Sequence, residues 1–270
     1  MHPLQKSVDE IKELDKDPFK NLKISDTSIL DTVDERSLCK KCNKSRKYFC
    51  YVCYIPVPHL EGKIPKVSLP IKIDIIKHKN EIDGKSTSAH AAILAPDDVR
   101  VFTYPTVPEY SANDNVVLIY PSSKAKTIKE CFEENYELLK TNEFPFTRAV
   151  FIDSTWNQSK GIFKDERINT LPAIVLKNKI SQFWRHQKKS PRWYLATIEA
   201  IHELLIEMVN ERCDMIKRKE SETHVDNRTS SGYSYNGQYD NLLFFFNYMY
   251  SKIHDLYDHD SLLSYKRSLE

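Results

Sequence analysis

Glycine is scarce in this chain: Gly62, Gly84, Gly161, Gly232 and Gly237 are the five among 270 residues. Phosphate cradles of the dinucleotide and P-loop kinds need clustered glycines so that backbone N–H groups can approach the ligand. Neither GxGxxG nor GxxxxGK[ST] occurs, which excludes both site types. Long hydrophobic runs are also missing. No stretch approaches the roughly 20 apolar residues of a membrane-crossing helix, so no membrane partner is expected. The opening Met1-His2-Pro3-Leu4-Gln5-Lys6 lacks the apolar core of a secretory signal, which points to a reducing compartment. Charge of one sign is not in excess either, the net value being +2. None of His78, His90, His186 and His202 shows a paired spacing, so these are expected in packed or surface roles and not as metal ligands.

Cysteine is present in a pattern. Cys39-x-x-Cys42 and Cys50-x-x-Cys53 can close a tetrahedral site around zinc, each pair on its own tight knuckle. Two disulfides are the alternative, and they would need an oxidising compartment. The short spacer implies a hairpin between the knuckles, with Asn43-Lys44-Ser45-Arg46 as turn and Lys47-Tyr48-Phe49 as returning strand. Four protein ligands leave no open position for a substrate water, so the predicted zinc is structural. Cys131 and Cys213 fall on the apolar sides of predicted helices and are expected to be packed thiols.

The distribution of charge divides the chain. Residues 1–37 hold nine acids against six bases with weak apolar periodicity, which predicts a poorly ordered or loosely docked leader. Residues 38–66 form the cysteine hairpin, and 67–270 form the main domain, for which 40% hydrophobic content is sufficient. Residues 38–80 carry ten bases against two acids, and 177–192 carry six bases and no acid. Such runs are commonly solvated faces. In the second, however, Trp184, Arg185, His186, Lys188, Lys189, Arg192 and Trp193 interleave cations with aromatic planes, which suits a polyanion whose bases can stack. Single-stranded or looped RNA is favoured over duplex DNA, because no segment resembles a major-groove reading helix.

Hydrophobic periodicity predicts an α/β domain with a mostly parallel sheet. Strands are predicted at 71–76, where alternation implies one buried face, and at 99–105, 115–121, 147–152 and 171–176. Helices are predicted at 89–94, 127–140 and 198–219, and a very apolar last helix at 241–250. The Ser/Asn/Gly/Tyr-rich stretch 221–240 predicts a mobile loop.

The strand 147–152 delivers Asp153-Ser154-Thr155-Trp156 at its C-terminal end, where open α/β sheets place their chemistry. A simpler account makes Asp153 or Ser154 the cap of the following helix. Several separated blocks bear on that choice: the CxxC pairs, Lys77-His78-x-x-Glu81 with Ser86-Thr87, Tyr120-Pro121-Ser122, Asp153-Ser154-Thr155-Trp156, Phe183-Trp184-Arg185-His186-Gln187, Leu195-Ala196-Thr197-Ile198-Glu199-Ala200, and Gln238-Tyr239-Asp240-Asn241-Leu242-Leu243-Phe244-Phe245. Together, over roughly residues 38–260, they resemble the DTW-domain family and, within it, the eukaryotic tRNA-uridine aminocarboxypropyltransferases.

The resemblance implies a SPOUT-like fold whose C-terminal half is threaded as a trefoil knot and holds S-adenosylmethionine. It implies transfer of the 3-amino-3-carboxypropyl group of that cofactor to N3 of a uridine in the tRNA D-loop, giving acp3U. Asp153 becomes the candidate acceptor of the N3 proton, or an acceptor that orients the base. Tyr120, Pro121, Ser154, Thr155, Trp156, Leu195, Thr197 and Glu199 become the candidate cofactor-binding residues. Thr197 and the N–H groups opening the 198–219 helix would meet the cofactor carboxylate, and Glu199 would contact its amine or cap that helix. Trp184, Trp193 or Tyr120 would stack the splayed uridine, with Arg185, Lys188, Lys189 and Arg192 on the phosphates and His186 a further RNA contact. The family commonly has Leu-Ser-Thr where this chain has Leu195-Ala196-Thr197. An RNA methyltransferase on the same fold and a non-catalytic zinc-ribbon RNA-binding protein are the competing readings. The resembling family also points to the nucleus, with the cytosol as alternative, and a monomer is the default expectation.

Overall fold

A computed structural model describes residues 8–140, 143–177, 179–187, 190–223 and 234–269. Helix α1 (Val8–Lys16) precedes the cysteine region, where β1 (Ser37–Leu38) pairs with β2 (Ser45–Arg46) and β3 (Phe49–Cys50) with β4 (Ile55–Pro56), both antiparallel. The main domain then runs β5 (Lys72–Lys77), α2 (Ser88–Leu94), β6 (Val99–Thr103), β7 (Val116–Ile119), α3 (Ile128–Glu134), β8 (Arg148–Asp153), α4 (Trp156–Phe163), α5 (Glu166–Asn169), β9 (Ala173–Ile174), α6 (Thr197–Thr223) and α7 (Phe244–Leu256).

The five main strands form one sheet in the order β6-β5-β8-β7-β9, and every pair is parallel. One face carries Ile73, Ile75, Ala149 and Phe151 against α2, α6 and α7. The other carries Ile76, Leu118 and Val150 against Ile162 of α4 and Ile168 of α5. With helices on both faces the α/β expectation holds, whereas the expectation that 71–76 buries one face fails. Asp74, in the middle of β5, is 0% exposed. Its carboxylate takes both guanidinium arms of Arg100 at 2.9 Å, Arg148 at 3.0 Å and the Tyr110 hydroxyl at 3.0 Å. Alternation placed a polar residue correctly on the second face; the cover over that face was not readable from β5 alone.

The predicted helix over 127–140 breaks after α3 into a 3₁₀ turn, Tyr136–Lys140, and α6 extends to 27 residues, past the 198–219 expected. Of the predicted mobile loop 221–240, residues 221–223 end α6 and Asp240 opens a 3₁₀ turn, while 224–233 lie outside the described residues. The leader is docked, contrary to expectation, from α1 onward. Leu30 is fully buried, Phe19 meets the Phe246 and Tyr250 rings edge-on, and Asp15 of α1 pairs with Arg192. Weak periodicity concealed this because the buried apolar residues, Ile11, Leu30 and Val33, are scattered and share the docking with polar anchors: the Lys23 N–H reaches Asp240 at 2.7 Å and Tyr248 donates to Asp31 at 2.9 Å.

The cysteine region differs from a single hairpin. Ser45 and Arg46 are strand and not turn, so each CxxC knuckle is bracketed by its own two-stranded ribbon. The residue after each second cysteine adopts positive φ, 54° at Asn43 and 53° at Tyr54. Each of these N–H groups returns to the first cysteine's carbonyl, Asn43 to Cys39 at 2.9 Å and Tyr54 to Cys50 at 2.8 Å. Asparagine adopts this conformation readily and tyrosine does not. The two knuckles are thus near copies in backbone geometry.

Candidate active site

The C-terminal ends of β5, β7, β8 and β9 open into one cavity of about 800 Å³. This is the crevice that an open parallel sheet offers a ligand, and its size lies within the ~300–1,000 Å³ of small-molecule and cofactor sites. Asp153, the last residue of β8, is 5% exposed on its wall. Ser86, from the loop after β5, donates to Oδ2 at 2.6 Å, and Thr197, the first residue of α6, donates to Oδ1 at 2.7 Å. The Ser86 oxygen is itself within 2.6 Å of the Ser88 hydroxyl. A carboxylate offers about four acceptor positions. Two hydroxyls from different segments therefore fix the plane of Asp153 and leave acceptor capacity on each oxygen. Glu81, also on the cavity wall, has its carboxyl raised above the ordinary range by burial and then by the charge of Asp153.

Asp153 caps no helix. Thr155 precedes α4 in extended conformation, and the Gln158 carbonyl oxygen accepts from its N–H at 3.1 Å and its hydroxyl at 2.8 Å. Thr155 therefore uses its donor on the helix start, and Ser154 donates to the Thr155 carbonyl at 3.1 Å, though both residues line the cavity. Trp156 opens α4 and lies 3.9 Å, centroid to centroid, from Tyr194, with Tyr120 6.3 Å away and backed by Phe163 at 4.4 Å. Trp193 meets Tyr194 edge-on at 4.5 Å. Tyr120, Pro121, Trp156, Trp193, Tyr194, Leu195 and Thr197 all line the cavity, so one wall is a band of rings. Sequence reasoning missed Tyr194, which bears no motif signal beyond its place beside Trp193, and gave Ser86 no role.

Glu199 is a correction. Both of its oxygens are taken, Oε1 by the Gln182 N–H at 2.6 Å and Oε2 by Ser181 at 2.7 Å and the Ala196 N–H at 2.7 Å. Burial raises its carboxyl and these N–H and hydroxyl donors pull it back. It closes the start of α6, as the capping alternative had it, and is not among the cavity-lining residues. The N–H groups of that helix start are also committed: Ala196 to Glu199, and Ile198 to the Thr87 hydroxyl at 3.2 Å. A ligand carboxylate does not have these two donors. Ala196 stands at the N-cap, where serine or threonine is preferred, and the Thr87 hydroxyl from another segment supplies the missing acceptor.

The basic segment separates into different roles. Arg192, expected on RNA phosphates, is 2% exposed and bidentate with Asp15 at 2.7 Å and 2.7 Å, so it is structural. Lys188 and Lys189 lie outside the described residues. Trp184 packs on Phe183 and Phe246 at 5.3 and 5.1 Å, which makes it half core. Arg185 and His186 line the cavity, His186 from an exposed position. His90 is buried against Phe49 and Phe245 and pushed down to about 3 by burial, hence neutral, and His202 sits buried against Asp240 at 2.9 Å.

The four thiols Cys39, Cys42, Cys50 and Cys53 have Sγ atoms all within 4.8 Å of one another, with Cys42 and Cys50 at 3.6 Å, and all six cysteines are free. Zinc–sulfur bonds of about 2.3 Å in a tetrahedron put sulfurs about 3.8 Å apart, so this donor set fits zinc. Burial would push the Cys50 thiol up, but N–H groups of Val52 and Cys53 and the Arg46 guanidinium bring it to about 6. Burial and the neighbouring thiols push Cys53 up to about 12. Cys131, raised to about 11 by burial, is an unreactive packed thiol as expected.

Fold and site together define an α/β protein with an open parallel sheet, a ring-walled cavity at its carboxyl edge and an appended four-cysteine module. A DTW domain model matches residues 47–254, and the chain belongs to the DTW-domain family. It is 37% identical to tRNA-uridine aminocarboxypropyltransferase 1 of Xenopus tropicalis, over 90% of this chain and 88% of that protein. Identity to the proteins of the same name from Mus musculus and Homo sapiens is 38%, over 88% of this chain and 84% of each. No solved structure gives a significant match.

Proposed function

We propose that this chain is a tRNA-uridine aminocarboxypropyltransferase, forming acp3U at N3 of a D-loop uridine. The observation that carries the reading is the Asp153 carboxylate, held in plane by Ser86 and Thr197 on the wall of a ring-lined cavity in a DTW domain. S-adenosylmethionine, when bound, supplies a sulfonium whose departing group is a neutral thioether, so no general acid is required. The harder task is at the nucleophile, because N3 of uridine carries a proton. Asp153 accepts the N3–H bond on a lone pair left by its two hydroxyl partners, orients N3, and takes the proton as the N3–carbon bond forms and the carbon–sulfur pair leaves with sulfur. Choosing the aminocarboxypropyl carbon over the methyl is a matter of pose. Trp156, Tyr194 and Tyr120 form the apolar side that holds the cofactor, with Pro121, Leu195 and the Ser154 and Thr155 edge around it. Trp193, edge-on to Tyr194, is the ring on which the uridine stacks.

The same reading carries a SPOUT-like, knotted C-terminal half. It is supported by the strand order β6-β5-β8-β7-β9 and by the return of the chain after β9 to the end of β8, where Thr197 meets Asp153. The four-cysteine module holds a structural zinc, and a monomer acting in the nucleus completes the proposal. The test is mass spectrometry of nucleosides from unmodified tRNA incubated with the protein and S-adenosylmethionine. The wild type gives acp3U, and Asp153→Asn lowers the rate about 10²–10⁴-fold, the range of general-base contributions. Methyluridine as product, or bound but unmodified tRNA, would overturn the reading.

A further inference from the structure

Between the cysteine module and the 183–185 segment lies a second, smaller cavity of about 240 Å³. It adjoins the main cavity, since Lys85, Ser86, Thr87, Phe183 and Arg185 line both. Arg36, Arg46, Lys47, Lys85 and Arg185 face it against one acid, Asp83, which is already paired with Lys77. Its volume falls below the ~300 Å³ at which pockets for drug-sized ligands begin, so it suits a fragment of a chain and not a second cofactor. The ring of Tyr51, with Arg46 stacked 3.9 Å over it, and that of Trp184 form its apolar surface.

Arg185 is the telling residue. Its Nε is buried without a hydrogen-bond partner, and among the described residues no carboxylate answers its charge. Burial alone holds its guanidinium below its ordinary range. The side chain is half-buried, and an orphan Nε is shared with Arg192, so the contrast lies in the carboxylate: Arg192, seven residues on, is bidentate with Asp15, and Arg185 has no such partner among the described residues. An anion from outside is what Arg185 lacks. Lys177, an exposed cation that also lines the main cavity, is neutralised by Glu211.

We propose that this junction is a second nucleotide subsite, in which Arg185 clamps the phosphodiester beside the target uridine and the cysteine module forms the floor for the neighbouring nucleotide. The proposal rests on the tRNA reading above. A base drawn into the main cavity brings its flanking phosphates to the rim, where Lys85 and Arg185 stand; Glu81, the acid on that wall, is raised above its ordinary range by burial and by Asp153. The four-cysteine module thereby becomes part of the RNA-binding surface as well as a stabilising one.

Binding of an unmodified tRNA transcript is measured as a function of salt, with S-adenosylmethionine affinity measured separately. Arg185→Gln weakens tRNA binding about tenfold and lowers the slope of log affinity against log salt by about one. Arg185→Lys keeps the slope while losing bidentate geometry. Lys47→Ala, which touches only the smaller cavity, weakens tRNA binding a few-fold. All three leave S-adenosylmethionine affinity within about twofold. Unchanged tRNA affinity and slope in both Arg185→Gln and Lys47→Ala overturn the subsite even where wild type makes acp3U; a lowered slope in a protein that makes no acp3U leaves the subsite standing and removes the activity.

Discussion

The Asp15–Arg192 pair sets a quantitative test of how the leader holds the site. Arg192 is anchored by two 2.7 Å bonds to Asp15, whose Oδ1 also receives the Gln182 amide at 3.0 Å. The next two residues are Trp193 and Tyr194 of the ring wall. Truncating one member of a buried pair leaves the other charge uncompensated, at about 3–5 kcal/mol, and the lost neutral bond adds about 1 kcal/mol. Asp15→Ala should therefore cost on the order of 4–6 kcal/mol. With a urea m-value of about 2–3 kcal/mol per M, the unfolding midpoint falls by roughly 1.3–3 M. The double variant Asp15→Leu, Arg192→Met removes both charges and should recover most of that loss, because apolar replacement of a whole buried pair is often neutral. It should also bind tRNA with the wild-type salt slope. An Asp15→Ala protein within about 1 kcal/mol of wild type, or a double variant no better than the single one, would refute the argument that this contact is a buried structural anchor.

Three other outcomes follow from the geometry. Glu207 is raised from 4.5 to about 7, first by burial and then by Glu203. The native state thus binds the extra proton between pH 4.5 and 7 and loses stability as pH rises through that window, by at most about 3 kcal/mol. Glu207→Gln should match wild type in urea at pH 5 and exceed it at pH 8; equal midpoints at both values would count against this. Ala196→Ser places an oxygen where the Thr87 hydroxyl already accepts from Ile198, so it should change stability by well under the roughly 1 kcal/mol of a new cap, read from chemical denaturation; a gain of that full size would mean that Thr87 does not stand in for the cap. Chelation, or Cys50→Ser, should release one zinc per chain and lower the unfolding midpoint. The change should be felt in α7, since Tyr48 and Phe49 pack on Tyr248 and Phe245 at 5.4 and 4.6 Å; zinc loss without any change in stability would deny the module its structural role.

The parallel sheet was legible because its central strands are short apolar runs separated by helical periods, and the cysteine cluster because CxxC spacing constrains geometry by itself. Asp153 was legible from its place after a strand. Its partners were not, since Ser86 and Thr197 are 67 and 44 residues away in sequence and no local pattern joins them. Arg192 was misassigned for a related reason: a basic run reads alike whether its members meet solvent, phosphate or a distant Asp15. Glu199 shows the reverse case, a residue in a motif block whose acceptor capacity turns out to be used by Ser181, Gln182 and Ala196. The leader escaped because isolated polar anchors and scattered apolar contacts leave no periodicity.

Those anchors have a consequence for the order in which the chain can assemble. Lys23 meets Asp240, and Asp31 meets Tyr248, each across 217 residues. At about 5–20 residues per second of synthesis, the leader waits roughly 10–40 s for its partners to be made. Throughout that interval Asp15, Lys23 and Asp31 have nothing to bind, and the polar, acid-rich character of the segment keeps it hydrated and out of premature contacts. The same composition that disguised the leader as loose lets it stay solvated until its partners exist, and makes it a late piece to dock.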